Sequence, residues 1–135
     1  MRRYWDTSSL VEALHDESFR VKVTRESAVT RSHSFSEVFS TLTGGRLGFR
    51  YSPDDAAGVI SSLAKDLEVV DLTLDESLAA LSRAGKFGVR GGRVHDFLHA
   101  EAARKAGVQK IVTLNRNDFV GLLDGEVEIA DPASA

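Results

Sequence analysis

Apolar residues recur along this chain with two alternating periods, and that alternation predicts its elements. Tyr4-Trp5 lead out of a short N-terminal strand, and Asp6-Thr7-Ser8-Ser9 start a helix carrying Leu10, Val11, Ala13 and Leu14. Ser9 and Glu12 have capping-box spacing. Between 16 and 31 the pattern is divided. Phe19, Val21 and Val23 alternate as in a strand, while Ala28-Val29-Thr30 reads as a separate short strand. Ser32 or Ser34 is placed to cap the next helix, whose apolar face is Phe35, Val38, Phe39 and Leu42, and Gly44-Gly45 ends it.

Pro53-Asp54-Asp55 opens a helix with Val59, Ile60, Leu63 and Leu67. Glu68 to Leu72 reads as a buried strand, and a helix follows around Leu74 to Ala84. The glycines between Gly85 and Gly92 predict a flexible loop. A helix from Arg93 to Ala106 stops at Gly107, the strand Lys110 to Thr113 follows, and Glu126 to Ile129 is the last strand. Strands alternating with helices imply an α/β fold, with a parallel sheet covered on both faces. Ligands of such sheets bind beyond the carboxyl ends of the strands. Asp6, just after the first strand, and Asn115 to Asp118, just after Thr113, fall there. No repeat or linker interrupts the pattern, so residues 1–135 are expected to form one domain.

Composition narrows the chemistry. The chain has no cysteine, which excludes disulfides, zinc fingers and thiol catalysis. A metal site would use carboxylate, amide or imidazole, and 20 acidic residues against four His point to a hard cation. No apolar run approaches the roughly 18 residues that span a bilayer. Met1 to Asp6 contain no signal-peptide core, so a cytoplasmic protein is expected. The net charge of −3 decides little, but its distribution is uneven. Asp54 to Glu76 hold seven acids against Lys65, and Arg83 to Arg116 hold eight bases against Asp96 and Glu101. The basic stretch can serve as a phosphate footprint, or it is a solvated surface that clusters by chance.

Several residues are candidates for chemistry. Asp6 is a natural helix N-cap, a role compatible with facing the crevice. In the helix from Arg93, Val94, Phe97 and Leu98 share one face and Asp96 lies nearly opposite, flanked by Ala100 and Ala103 with His99 beside them. Asp96 is either a solvated acid or a carboxylate in a narrow cleft, and the small alanines favour close approach by another element. Glu37 lies opposite its helix's apolar face, where a surface Glu is the ordinary reading. Asn115 and Asp118 read equally well as turn formers. His95 and His99 stand at i and i+4, yet without an HExxH motif they read as packing or substrate-contacting groups. The glycines match neither GxGxxG nor GxxxxGK[ST], and no GxSxG elbow occurs.

Taken in order, these positions resemble the PIN domain, especially toxin nucleases of VapC type. The resemblance runs from Asp6-Thr7-Ser8 through Ser34-Phe35-Ser36-Glu37-Val38 to Gly92-Arg93-Val94-His95-Asp96-Phe97-Leu98-His99-Ala100. It ends in Thr113-Leu114-Asn115-Arg116-Asn117-Asp118-Phe119, similar to the family's T-x-[DN]-x-x-D-F close. The resemblance implies a three-layer α/β/α sandwich with a mainly parallel central sheet. It implies an endoribonuclease dependent on Mg²⁺ or Mn²⁺, leaving a 3′-hydroxyl and a 5′-phosphate, and acting as the toxin of a type II toxin–antitoxin system. RNA as substrate, a cognate antitoxin and a homodimer follow as expected partners, with no membrane. The acids would be Asp6, Glu37, Asp96 and Asp118, with Asn115 as a neutral ligand and Thr7 or Thr113 orienting water or a ligand. One metal or two stays open.

Carboxylates gathered in this way repel one another unless a cation neutralises them. Lys86, Arg90, Arg93 and Arg116 surround the last two blocks and are expected to bind the RNA backbone. Two other readings compete. Asn115 is compatible with a catalytically weakened PIN-like module that works through protein contacts. A receiver- or flavodoxin-like domain would also place Asp6 at a strand end, but would put Asp96 far from the strand ends.

Overall fold

The computed structural model describes residues 2–123, 125 and 127–134. Strand β1 (Arg2–Trp5) leads into helices α1 (Thr7–His15) and α2 (Glu17–Arg25), then β2 (Ser27–Thr30), α3 (Ser32–Thr43) and α4 (Pro53–Ala64). The short β3 (Glu68–Val69) precedes α5 (Leu74–Arg83) and α6 (Arg93–Ala106), and β4 (Lys110–Val112), α7 (Arg116–Phe119) and β5 (Glu128–Ala130) complete the chain. Every strand pairing among the described residues is parallel, in the order β3-β2-β1-β4-β5.

From β1 the chain steps outward through β2 to β3, then returns to the other side of β1 with β4. The two neighbours β1 and β4 therefore send their connections in opposite directions, which opens a crevice at their carboxyl ends. Flavodoxin-like sheets have the order 2-1-3-4-5, so that alternative is excluded.

Alternation along the strands fills both faces of the sheet. Tyr4, Val29 and Ile111 meet Phe97, Ala100 and Ala103 of α6 and Phe119 of α7 on one side. Trp5, Ala28 and Val112 meet Leu10, Val38, Leu42 and Leu63 from α1, α3 and α4 on the other. The result is the three-layer α/β/α sandwich expected from the sequence.

Several local expectations are corrected. Residues 17–25 are helical: Asp16 caps α2 by accepting from the N–H groups of Ser18 and Phe19. Phe19 and Val23 lie one helical turn apart and pack inward, while Val21 points out at 37% exposure. The expected strand over 68–72 is a two-residue edge, exposed at both positions, that pairs with β2. Asp6 caps α1 in place of the Ser9–Glu12 pair. Neither Ser32 nor Ser34 caps α3; the Ser32 N–H and hydroxyl bind Asp71 at 2.8 and 2.6 Å. Phe39, expected on the buried face of α3, is exposed.

The glycine-rich segment is structured rather than a loose loop. Ala84–Phe87 form a 3₁₀ turn closed by Gly88 at φ +68°, and Val89 is buried. The helix before it ends at Arg83, one residue short of the expected Ala84. Gly107 stops α6 as expected, at φ +69° with its N–H returned to Ala103 and Arg104 carbonyls. The polar turn after Thr113 contains the short helix α7. Of the last expected strand, Glu128 to Ile129 is observed within β5, and Glu126 lies outside the described residues.

Candidate functional site

Asp6 sits where β1 gives way to α1, at the switch point. Its extended backbone leaves the carboxylate to cap the helix, and Oδ1 accepts from the Ser9 N–H at 3.0 Å. The Ser8 hydroxyl donates to the same oxygen at 2.8 Å, and the Thr113 hydroxyl donates to Oδ2 at 2.6 Å. Both hydroxyls in turn accept from the loop after β4: Ser8 from the Leu114 N–H and Thr113 from the Asn115 N–H, each at 3.0 Å. Asp6, 5% exposed, is thus fixed by two hydroxyl relays that bind the β1 and β4 ends together. The cap and the crevice roles hold at once.

Asp6, Thr7, Ser8 and Glu12 line a cleft of about 370 Å³, with Glu37 of α3, Asp96 and His99 of α6 and Asn115 on its other walls. Among the described residues, no Lys or Arg lines it. Asp96 and Asp6 share this cleft, which again excludes a receiver-like arrangement. Glu12, noted in the sequence only for its capping spacing, is a further acid in the cleft.

Glu37 is not a plain surface residue. Its Oε1 lies 3.0 Å from Nε2 of His99, which is 2% exposed. The other imidazole nitrogen, Nδ1, lies 2.7 Å from the Tyr4 hydroxyl. Burial pushes the Tyr4 phenol far above its ordinary range, keeping it protonated. The Tyr4 hydroxyl can give or take a proton in this bond, and Nε2 donates to the Glu37 carboxylate, which can only accept. Burial alone would raise the Glu37 carboxyl. The His99 hydrogen bond and charge, with Arg31 and His33, outweigh it and hold the group below the usual range. Thr7 Oγ1 stands 3.5 Å from the same Nε2.

Asp96 has the opposite environment. It makes no hydrogen bond among the described residues, and its carboxyl is pushed up to about 6. Burial is the main cause, followed by the Asp118 charge; His99 opposes, and Asp6 and Glu37 add to the rise. Ala100 and Ala103 on this helix are fully buried, so the small residues do bring α6 close to the sheet. Asp118, half-buried on α7, does not line the cleft but supplies the strongest charge repulsion on Asp96. Asn115 lines the cleft directly.

The structure therefore gathers Asp6, Glu37, Asp96 and Asn115 around one cleft, with Thr7 on its wall, Thr113 behind Asp6 and Asp118 within electrostatic reach. The basic residues are elsewhere. Arg93 donates to the Val120 carbonyl at 3.1 Å and Arg116 to the Ile129 carbonyl at 2.7 Å; Lys86 and Arg90 are exposed beyond the cleft. Among the described residues, no group of three or more acids or imidazoles stands in a metal-holding arrangement.

No family model matches this sequence, and no curated protein matches it. Solved structures do. The chain superposes on VapBC2 from Rickettsia felis, solved with a DNA fragment from its promoter, with a TM-score of 0.67 and 15% identity over 97% of this chain and 98% of that one. It superposes on PAE2754 from Pyrobaculum aerophilum with a TM-score of 0.68 and 18% identity over 95% of this chain and 89% of that one. For VapBC-1 from nontypeable Haemophilus influenzae the TM-score is 0.67, with 14% identity over 98% and 99% of the two chains. The protein shares the three-layer PIN-like fold of these chains.

Proposed function

We propose that this protein is an endoribonuclease dependent on Mg²⁺ or Mn²⁺, the toxin half of a type II toxin–antitoxin pair. The observation that carries the reading is Asp96: a half-buried carboxylate in the cleft with Asp6 and Glu37, without a hydrogen bond among the described residues, pushed up to about 6 by burial and by the charges of Asp118, Asp6 and Glu37. Mutually repelling carboxylates of this kind weaken the fold and are explained by a cation that they bind together. The donors are carboxylate and amide oxygens, which suits a hard ion that keeps part of its water shell. Asp6, Asp96 and Asp118 would hold it, with Glu37 and Asn115 completing the set. When bound, the ion supplies Lewis acidity and a more acidic water for phosphodiester hydrolysis.

The chain's own residues would then divide the remaining work. His99, hydrogen-bonded to Tyr4, would hold Glu37 deprotonated and fix one of its oxygens, leaving the other for the cation. Ser8 and Thr113 keep Asp6 from turning away, and Thr7 orients a water or phosphate oxygen. Lys86, Arg90, Arg93 and Arg116 lie outside the cleft and would bind RNA phosphates beyond it. The VapBC likeness supports an antitoxin as protein partner, and the family resemblance supports a homodimer acting in the cytoplasm.

Asn115 favours a second reading, a PIN-like module that binds protein and has lost efficient catalysis. Incubating purified protein with labelled single-stranded RNA separates the two. Cleavage in Mg²⁺ or Mn²⁺, abolished by EDTA, supports the nuclease. Intact RNA in both metals, with no Mn²⁺ bound at millimolar concentration, supports the binding module.

A further inference from the structure

Two exposed imidazoles stand beside the acidic cleft, and the proposed hydrolysis gives neither of them a task. His33 is the second residue of α3 and His95 the third of α6. Each lies one helical turn before a member of the buried pair: His33 four residues before Glu37, His95 four before His99. The two helices thus face each other twice. The inner rung is the Glu37–His99 hydrogen bond. The outer rung is a stacked pair of rings, His33 on His95, with centroids 5.8 Å apart and planes within 17°.

Both outer rings are exposed, and neither makes a hydrogen bond among the described residues. A pair that served only the fold would be expected to be buried or bonded. The positions are nonetheless well fixed. The first turn of α3 is tied to Asp71 through Ser32, and the first turn of α6 closes on the Gly91 and Gly92 carbonyls. What remains is a flat, aromatic, solvent-facing surface. It adjoins Asp96 in sequence and acts electrostatically on Glu37. A ligand that brings a phosphate to those acids and has a planar group next to it would fit both features. A nucleotide strand is such a ligand, and its bases stack on histidine rings without regard to sequence.

We propose that His33 and His95 form a stacking platform for one nucleobase of single-stranded RNA lying across the cleft. This rests on the reading of the cleft as an RNA site, though not on the RNA being cut. The platform sets where along the strand a phosphate meets Asp96, while the acids deal with the phosphate itself.

The test is binding of a fluorescent single-stranded RNA to the full chain in millimolar Ca²⁺, followed by anisotropy. His33→Ala, His95→Ala and His95→Phe are compared with wild type, each checked for its fold by circular dichroism. A second series of oligonucleotides lacks the base at one position in turn. Each Ala variant should weaken binding about tenfold, and His95→Phe, which keeps a flat ring, should restore it. One abasic position should cost the wild type a similar factor and cost His95→Ala nothing further. Ala variants that bind as tightly as wild type overturn the proposal. So does His95→Phe behaving like His95→Ala, which would assign the effect to charge or metal ligation. So does a wild type that binds no RNA. Cleavage in Mn²⁺ judges the nuclease separately: ring-dependent binding without cleavage sinks the nuclease and keeps the platform, and cleavage with ring-independent binding does the reverse.

Discussion

Replacing Asp96 by Asn should make the metal-free protein more stable. The Asp96 carboxyl is raised from 3.8 to about 6 in the folded chain, mainly by burial and by the Asp118 charge. A raised acid binds its proton more tightly folded than unfolded. Its contribution is therefore most favourable below about pH 4, declines between about 4 and 6, and stays lost above that range. At 1.36 kcal/mol per unit, the full difference is about 3 kcal/mol. Asp96 is only half-buried, and solvent screening reduces this to about 1 to 1.5 kcal/mol. Asn has nearly the same shape and no charge, so it removes the penalty.

For a chain of 135 residues, unfolding entropy of about 2.1 cal/mol/K per residue converts that gain into a rise of about 4–5 °C in melting temperature. Calorimetric melts in EDTA at pH 7.5 should show it, and the difference should vanish below pH 4, where Asp96 is neutral in both states. Millimolar Mn²⁺ should raise the wild type and leave the variant nearly unmoved, narrowing or reversing the gap. An Asn variant that melts at or below the wild type in EDTA at pH 7.5 would refute the reasoning.

Three further outcomes follow from the same contacts. Thr113→Val removes the donor to Asp6 and the acceptor of the Asn115 N–H, and should cost about 1–3 kcal/mol in urea denaturation, with Thr113→Ser recovering most of it. Tyr4→Phe leaves the buried Nδ1 of His99 without its hydrogen-bond partner and should cost a similar amount, about 1–3 kcal/mol, while any RNA cleavage falls in kcat rather than KM. Glu37 has a depressed carboxyl, so its stabilising contribution is present above its ordinary 4.5 and is lost as pH falls through the folded value. Glu37→Gln should therefore lower the melting temperature more at pH 7 than at lower pH, the gap shrinking as pH falls below 4.5; an equal loss throughout would contradict the assignment.

Much of the architecture was legible because its signals are local. Asp6 after Tyr4-Trp5, the stop at Gly107 and the alanines around Asp96 each follow from turn chemistry or helical period. The errors came where a local pattern admits two readings. Phe19, Val21 and Val23 alternate, but 19 and 23 are also one helical turn apart, and the Asp16 cap decided for helix. Residues 68–72 look like a buried strand, but a position at the sheet edge left them exposed. Glu37 carried no periodic distinction because its partner, His99, is 62 residues away. Glu12 enters the cleft only through the packing of α1. Arg93 and Arg116 were read from charge alone, and tertiary contacts give each a backbone carbonyl to hold.

The proposed nuclease needs a cation site that Asp6, Glu37, Asp96, Asp118 and Asn115 would build. Electron paramagnetic resonance of free Mn²⁺, titrated against wild type, Asp6→Asn and Asp96→Asn, tests it most directly. The wild type should bind Mn²⁺ at millimolar concentration or below, and each variant should bind on the order of tenfold more weakly or worse. Equal binding by all three proteins, or none by the wild type, would contradict it.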